Sequence, residues 1–234
     1  MVAGDLQVKR SSLAPMTLQL FAHPFSSYCQ KALIAFYEND IPFEFRMLSP
    51  DEPANGAEFA KLWPIQRFPI LVDDGRTILE ATTIIEYLEA NHPGPTVLIP
   101  RDAAEAVEVR MLDRVFDNYV MTPQGGIVFN ALREEKDRDP FGAQRNRKML
   151  ETAYAWLDER MADREWAVGE SFSLADCAAA PSLFYADWTH AIDPKFTSLI
   201  AYRKRLLAHP SVARAVDGGR PYRHFFPLGA PDRD

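Results

Sequence analysis

Phe25-Ser26-Ser27-Tyr28-Cys29-Gln30-Lys31 is the stretch on which the reading of this chain turns. It follows the apolar run Thr17-Leu18-Gln19-Leu20-Phe21 and opens an amphipathic run ending near Glu38, so it predicts a strand, a turn and a helix in that order. Hydroxyls therefore stand at a helix start. There the first N–H groups lack partners and the macrodipole is positive, which suits the place to an anion. Ser27 with Gln30 three residues on fits a capping box, and that pairing leaves Ser26 spare. Along the helix, about 27 to 38, Ala32, Leu33, Ala35 and Phe36 turn inward while Gln30, Lys31, Glu38 and Asn39 face water.

Downstream, Pro42-Phe43-Glu44-Phe45-Arg46-Met47 alternates with period two and gives a second strand, parallel to the first through a right-handed crossover. Pro50, Pro53, Gly56 and Pro64 leave room for only a short helix around Ala57 to Leu62. Pro69-Ile70-Leu71-Val72 is a third strand whose leading proline costs no ladder donor, and Asp73-Asp74-Gly75-Arg76 turns it into a hairpin with Thr77-Ile78-Leu79. Ile84, Ile85, Tyr87 and Leu88 mark a helix from Glu80 to Asn91.

From His92-Pro93-Gly94-Pro95 to Pro100 the pattern breaks, and beyond it the apolar period is helical, which predicts a domain boundary. The expected organisation is a flexible tail over 1–15 with Met16 as a candidate start, an α/β domain over 16–91, a linker over 92–101, and an all-helical domain over 102–234. Helices are predicted over about 102–120, 143–162, Ser173 to Trp188 and Lys195 to Ala208, the last stopped by His209-Pro210. Ser173-Leu174-Ala175-Asp176 is a capping box, with Phe172 and Cys177 placed for a hydrophobic staple and Asp176 structural. Gly218 to Asp234 carries Pro221, Pro227 and Pro231, so an irregular tail is expected, held down by Tyr222, Phe225 and Phe226.

Composition removes several functions. A net charge of −7 with scattered basic residues argues against nucleic acid as partner. No apolar run approaches the length of a membrane span and no signal peptide is visible, so no membrane partner and a cytoplasmic location are expected. The two cysteines, Cys29 and Cys177, cannot form a disulfide framework or a metal cluster, and His23, His190 and His224 lack metal or triad spacing, so no metal is expected.

A β-α-β-α-β-β-α half followed by an all-helical half resembles the glutathione S-transferases. The likeness runs from Met16 to about Ala215. It is carried by Ser26-Ser27-Tyr28-Cys29, Arg67-Phe68-Pro69-Ile70-Leu71, Leu79-Glu80-Ala81-Thr82, and Gly169 with Ser173-Leu174-Ala175-Asp176. The family implies a thioredoxin-like, glutathione-binding first domain, a helical domain supplying most of a hydrophobic second-substrate pocket, and a homodimer. Ser26 falls where theta-like and zeta-like members place the serine that activates glutathione. Phe68, before a cis Pro69, would bind the cysteinyl part through its main chain, and Arg67 would reach the glycyl carboxylate. Glu80 and the N–H of Ala81 would hold the γ-glutamyl end. Phe116 and Tyr119 become candidates for the second-substrate pocket.

The implied chemistry is transfer of the glutathione thiolate to a small electrophile. A free thiol of pKa ~8.5 is only slightly ionised at neutral pH, so such an enzyme must favour the thiolate. A hydroxyl hydrogen bond to a charged acceptor supplies roughly 1.5 to 3 kcal/mol, and the helix start adds about 0.3 to 1. Tyr28 and Cys29 rival Ser26 for the sulfur. A glutaredoxin-like reading is weakened because Ser26 replaces the first cysteine of C-P-Y-C. Ala81 stands where the family usually has serine, and Trp63 and Gln66 replace its usual asparagine and glycine. These departures motivate the reading of a non-catalytic binding or regulatory relative; the Ser26-Ser27 pair suggests a zeta-type isomerase, which the missing Ser-Ser-Cys-Ser pattern weakens.

Overall fold

A computed structural model describes residues 18–234, so the expected tail over 1–15 and the candidate start at Met16 lie outside the described residues. Strand β1 (Leu18–Ala22) leads through the 23–26 turn into helix α1 (Ser27–Glu38), and β2 (Phe43–Met47) follows, parallel to β1. Helix α2 (Pro53–Leu62) precedes the hairpin of β3 (Ile70–Asp73) and β4 (Arg76–Leu79) and then α3 (Ala81–Asn91). The sheet order is β2-β1-β3-β4, with β3 antiparallel to β1. Period two sorts β1 between layers. Leu18, Leu20 and Ala22 meet Ala32, Leu33 and Phe36 of α1 and Ile84 and Leu88 of α3, whereas Phe21 turns to Phe59 of α2. Helix α2 is longer than expected because Pro53 occupies its first turn, where a missing N–H costs nothing.

The remainder is helical: α4 (Ala103–Val115), a π-helical turn (Phe116–Met121), α5 (Thr122–Ala131), a short 3-10 turn (Glu135–Asp137), α6 (Pro140–Met161), α7 (Leu174–Thr189), α8 (Thr197–Ala208), α9 (Pro210–Gly219) and a second 3-10 segment (Arg220–Phe225). Every residue of α7 from Leu174 to Trp188 is buried, as expected of a helix with no polar face at the centre of a bundle. Its start carries the expected capping box. Asp176 accepts from the Ser173 N–H and hydroxyl, the Ala167 N–H and the Tyr202 hydroxyl, so its buried carboxylate is fully used.

Three expectations are corrected. Helix α8 stops before His209-Pro210 as expected, but the tail after it is not irregular from Gly218, because Pro210 opens α9 at the position where proline is best tolerated. The tail is accordingly helical to Phe225 and irregular only beyond. The single helix over 102–120 is two segments, α4 and the π turn, and the path runs on into α5. Pro123 brings no donor, and the N–H and hydroxyl of Thr122 both turn to the Asp117 carbonyl, widening that turn to π geometry.

The third correction concerns α1. The expected Ser27–Gln30 box is absent: Ser26 is the N-cap, and Gln30, Lys31 and Asn39 are buried rather than facing water. The helical domain supplies Tyr185 to Gln30 and Asp113 and Asp117 to Lys31. The Lys31 ammonium lies 2.5 Å from Asp113 Oδ1, 2.7 Å from Asp117 Oδ2 and 2.8 Å from Thr82 Oγ1. Glu38 accepts from His209 and Ser211 at 2.7 Å each. Asn39 is tied to both main-chain groups of Thr96.

Removing the Lys31 charge leaves two carboxylates in the interior with only Arg114 to balance them. Breaking such a pair costs about 3 to 5 kcal/mol. Lys31→Met is expected to lower urea-unfolding stability by about 3 kcal/mol, the low end because Arg114 remains. A loss below about 1 kcal/mol would show that this network does not tie the two domains together.

Candidate functional site

A cavity of about 820 Å³ opens between the sheet domain and the helical domain. That volume suits an organic ligand of moderate size. Ser26, Arg67, Phe68, Pro69, Glu80 and Ala81 all stand on its wall. Sequence separations of tens of residues are closed here by the sheet, which carries the α1 start, the β3 entry and the α3 start to one edge.

Ser26 has an extended backbone (φ −80°, ψ 128°), and its Oγ accepts from the Cys29 N–H at 3.4 Å. The turn before it sets this conformation through the Ser26 N–H bond to the His23 carbonyl, 3.0 Å. Capping uses an oxygen lone pair, so the hydroxyl proton stays available to an acceptor. The thiol of Cys29 is fully buried and accepts from the His23 N–H at 3.5 Å. Burial pushes it up to about 12, against weaker lowering by Ser26 and His23. It is a protonated packing group at neutral pH. Tyr28 lies on the cavity wall, and burial followed by the nearby Asp117 charge raises its phenol, which keeps it a donor.

The Phe68-Pro69 peptide bond is cis, and Phe68 is 40% exposed on the cavity side. Glu80 precedes α3 with φ 69° and makes no cap bond, so no side chain covers the N–H groups at that helix start. A non-glycine residue there is strained by about 1 to 3 kcal/mol, and such strain concentrates at ligand sites. Thr82 does not replace the hydroxyl missing at Ala81. Its Oγ1 is held by Lys31, Asp113 and Arg114 inside the domain interface.

The helical wall differs from expectation. Phe116 is fully buried in the core and Tyr119 is 51% exposed outside the cavity, so neither lines it. The π turn shifts the helix phase, and Asp117, Asn118 and Met121 face the cavity instead. Phe129, Tyr185, Phe225 and Phe226 make the far side aromatic. Nothing local in the sequence marks Tyr185, because α7 is apolar on all sides. The signal for Phe225 and Phe226 was their aromatic density near the end of the chain.

Two family models match this chain: the glutathione S-transferase N-terminal domain over residues 20–96, and the glutathione S-transferase C-terminal domain over residues 140–209. The chain belongs to the glutathione S-transferase superfamily. It is 26% identical to a probable maleylacetoacetate isomerase of Vibrio cholerae over 88% of this chain and 98% of that one. It is 29% identical to the FtsZ-localized protein A of Caulobacter vibrioides, over 70% of this chain and 75% of that protein. The crystal structure of a glutathione S-transferase from Methylobacterium radiotolerans in complex with glutathione sulfonate superposes with a TM-score of 0.75 at 27% identity, covering 86% of this chain and 94% of that one. Among the described residues of this superfamily member, no cluster of His, Cys, Asp and Glu suits a metal ion, and no helix is long and apolar enough to cross a membrane.

Both cysteines are buried, and burial raises both thiols. A thiol held near 12 has almost no thiolate at pH ~9, where an exposed cysteine is largely ionised. The native protein is therefore expected to resist a chromogenic disulfide reagent at that pH and to release two equivalents only after denaturation. Rapid reaction of one thiol in the native protein would reopen Cys29 as the reactive group.

Proposed function

We propose that this chain is a glutathione transferase in which the cavity binds glutathione and the Ser26 hydroxyl donates a hydrogen bond to its thiolate, which then attacks a small hydrophobic electrophile. The observation that carries this reading is the division of Ser26 Oγ. Its lone pair caps α1 from the cavity wall, so its O–H remains a donor beside the cavity, and the neighbouring protein thiol, which also lies within reach of that hydroxyl, is buried and protonated. Arg67 would meet the glycyl carboxylate, the main chain of Phe68 ahead of Pro69 the cysteinyl segment, and Glu80 with the Ala81 N–H the γ-glutamyl ammonium and carboxylate. The aromatic side of the cavity would take the electrophile. The protein needs no metal for this chemistry, and its expected setting is the cytoplasm.

Titration calorimetry with glutathione tests occupancy, and the ultraviolet absorbance of the bound thiolate against pH tests Ser26. Losing a hydrogen bond to a charged acceptor is expected to raise the bound thiol pKa by about one to two in Ser26→Ala and to lower conjugation at neutral pH in step. Because alanine also removes a helix cap, Ser26→Gly is the control, since glycine costs an N-cap only a few tenths of a kcal/mol. Parent-like thiol titration in both variants would remove Ser26 from the role. No heat at millimolar glutathione would favour the non-catalytic reading, which is supported by Ala81, by the occupied Thr82 hydroxyl, and by a relative named for its localisation with FtsZ.

An isomerase reading draws support from the near full-length match to a probable maleylacetoacetate isomerase. Isomerisation returns glutathione unchanged whereas conjugation consumes it, so following free thiol during turnover separates the two.

We also infer a homodimer. Val107 and Met111 on the outer face of α4 are 66% and 43% exposed, beside the Arg110–Glu86 pair that links α4 to α3. Light scattering should give twice the chain mass, and Val107→Glu should shift it to monomer. A monomeric parent protein would contradict this.

A further inference from the structure

The turn that presents Ser26 is tied at every main-chain group. The His23 N–H meets Cys29 Sγ, and its carbonyl receives the Ser26 N–H. The Pro24 carbonyl accepts from Gln30 Nε2 at 2.9 Å, and the Phe25 N–H donates to the His23 ring. The Ser26 carbonyl accepts the Gln30 N–H. One bond remains, and it alone comes from the helical domain: the Tyr185 hydroxyl donates to the Phe25 carbonyl at 2.8 Å.

That hydroxyl also accepts from Gln30 Nε2 at 3.1 Å, so one side chain fixes both carbonyls ahead of Ser26, one directly and one through Gln30. Tyr185 is 4% exposed, and its ring stands edge-on to Phe25 at 5.5 Å. Helix α9 comes close enough to enclose the pair, since a Cβ on Gly219 would meet Gln30 Nε2 at 2.8 Å and the Pro24 carbonyl at 3.1 Å. The ring of Tyr185 also forms part of the cavity wall on the aromatic side.

We propose that Tyr185 is the positioning residue for Ser26: its hydroxyl fixes the Phe25 carbonyl, and so places the serine that follows from the domain that holds the second substrate. Its kinetic arm rests on the transferase reading above; its structural arm does not. Losing the hydroxyl strands the Phe25 carbonyl and one Gln30 donor, and the turn must move to find other partners. Displacements of this kind, even when small, slow chemistry more than they weaken binding.

Tyr185→Phe keeps the ring and deletes the bond. Amide hydrogen exchange is expected to quicken about five- to tenfold at Ser26 and Cys29, with Leu157 in α6 unchanged as the reference for global stability. With glutathione and a model electrophile, kcat should fall about tenfold, KM for glutathione should stay within about twofold, and the pH profile should move upward. In a Ser26→Ala background the same change should add nothing. Parent-like exchange at Ser26 and Cys29 overturns the proposal, as do losses that add in the double variant. A parent protein that binds no glutathione overturns the transferase reading instead, and the exchange measurement then decides Tyr185 by itself.

Discussion

The Lys31 ammonium has no exposed surface and two carboxylates against it, and the arrangement of the two domains depends on that placement. A charge in the interior is tolerated only when paired and hydrogen-bonded, so α1 can dock in one way. Gln30 and Glu38 extend the same constraint along the helix, one to Tyr185 and the other to His209 and Ser211. Helix α1 thus belongs to the sheet by its apolar face and to the helical domain by its polar one. Its first turn, with Ser26 as cap, is fixed at both levels.

The site inherits this rigidity. A serine that only capped a helix would need no further support, yet this one follows a turn in which every main-chain group is bonded. The opposite walls are prepared differently. The Phe68-Pro69 segment and the α3 start present main-chain groups, with Glu80 held at positive φ. The helical side presents aromatic rings and the polar groups that the π turn rotates inward. A cavity with one polar, preorganised half and one apolar half suits a peptide-like co-substrate beside an apolar one.

Much of this was legible in the sequence because it is written locally. Period two gave β2, short apolar runs gave β1 and β3, the Asp73-Asp74-Gly75 turn gave the hairpin into β4, and Ser173 with Asp176 gave the start of α7. The resemblance brought Ser26, Arg67, Phe68, Pro69, Glu80 and Ala81 to one place, and they share one cavity wall. What failed was non-local. Gln30 and Lys31 look solvent-facing because their partners, Tyr185 and Asp117, lie 155 and 86 positions away. Ser27 fits the capping pattern as well as Ser26 does, and the choice was made by the turn before it. Pro210 ends one helix and begins another, and local rules allow either reading. Phe116 and Tyr119 were misplaced by the phase slip that Thr122 and Pro123 impose.

The central claim is that the Ser26 hydroxyl holds a sulfur that belongs to a ligand. A crystal structure with glutathione bound tests it most directly. The sulfur is expected within hydrogen-bonding distance of Ser26 Oγ, with the Phe68 main chain on the cysteinyl segment and the γ-glutamyl end at Glu80 and Ala81. A sulfur seated on the Tyr28 hydroxyl, or a cavity left empty at millimolar glutathione, would contradict it.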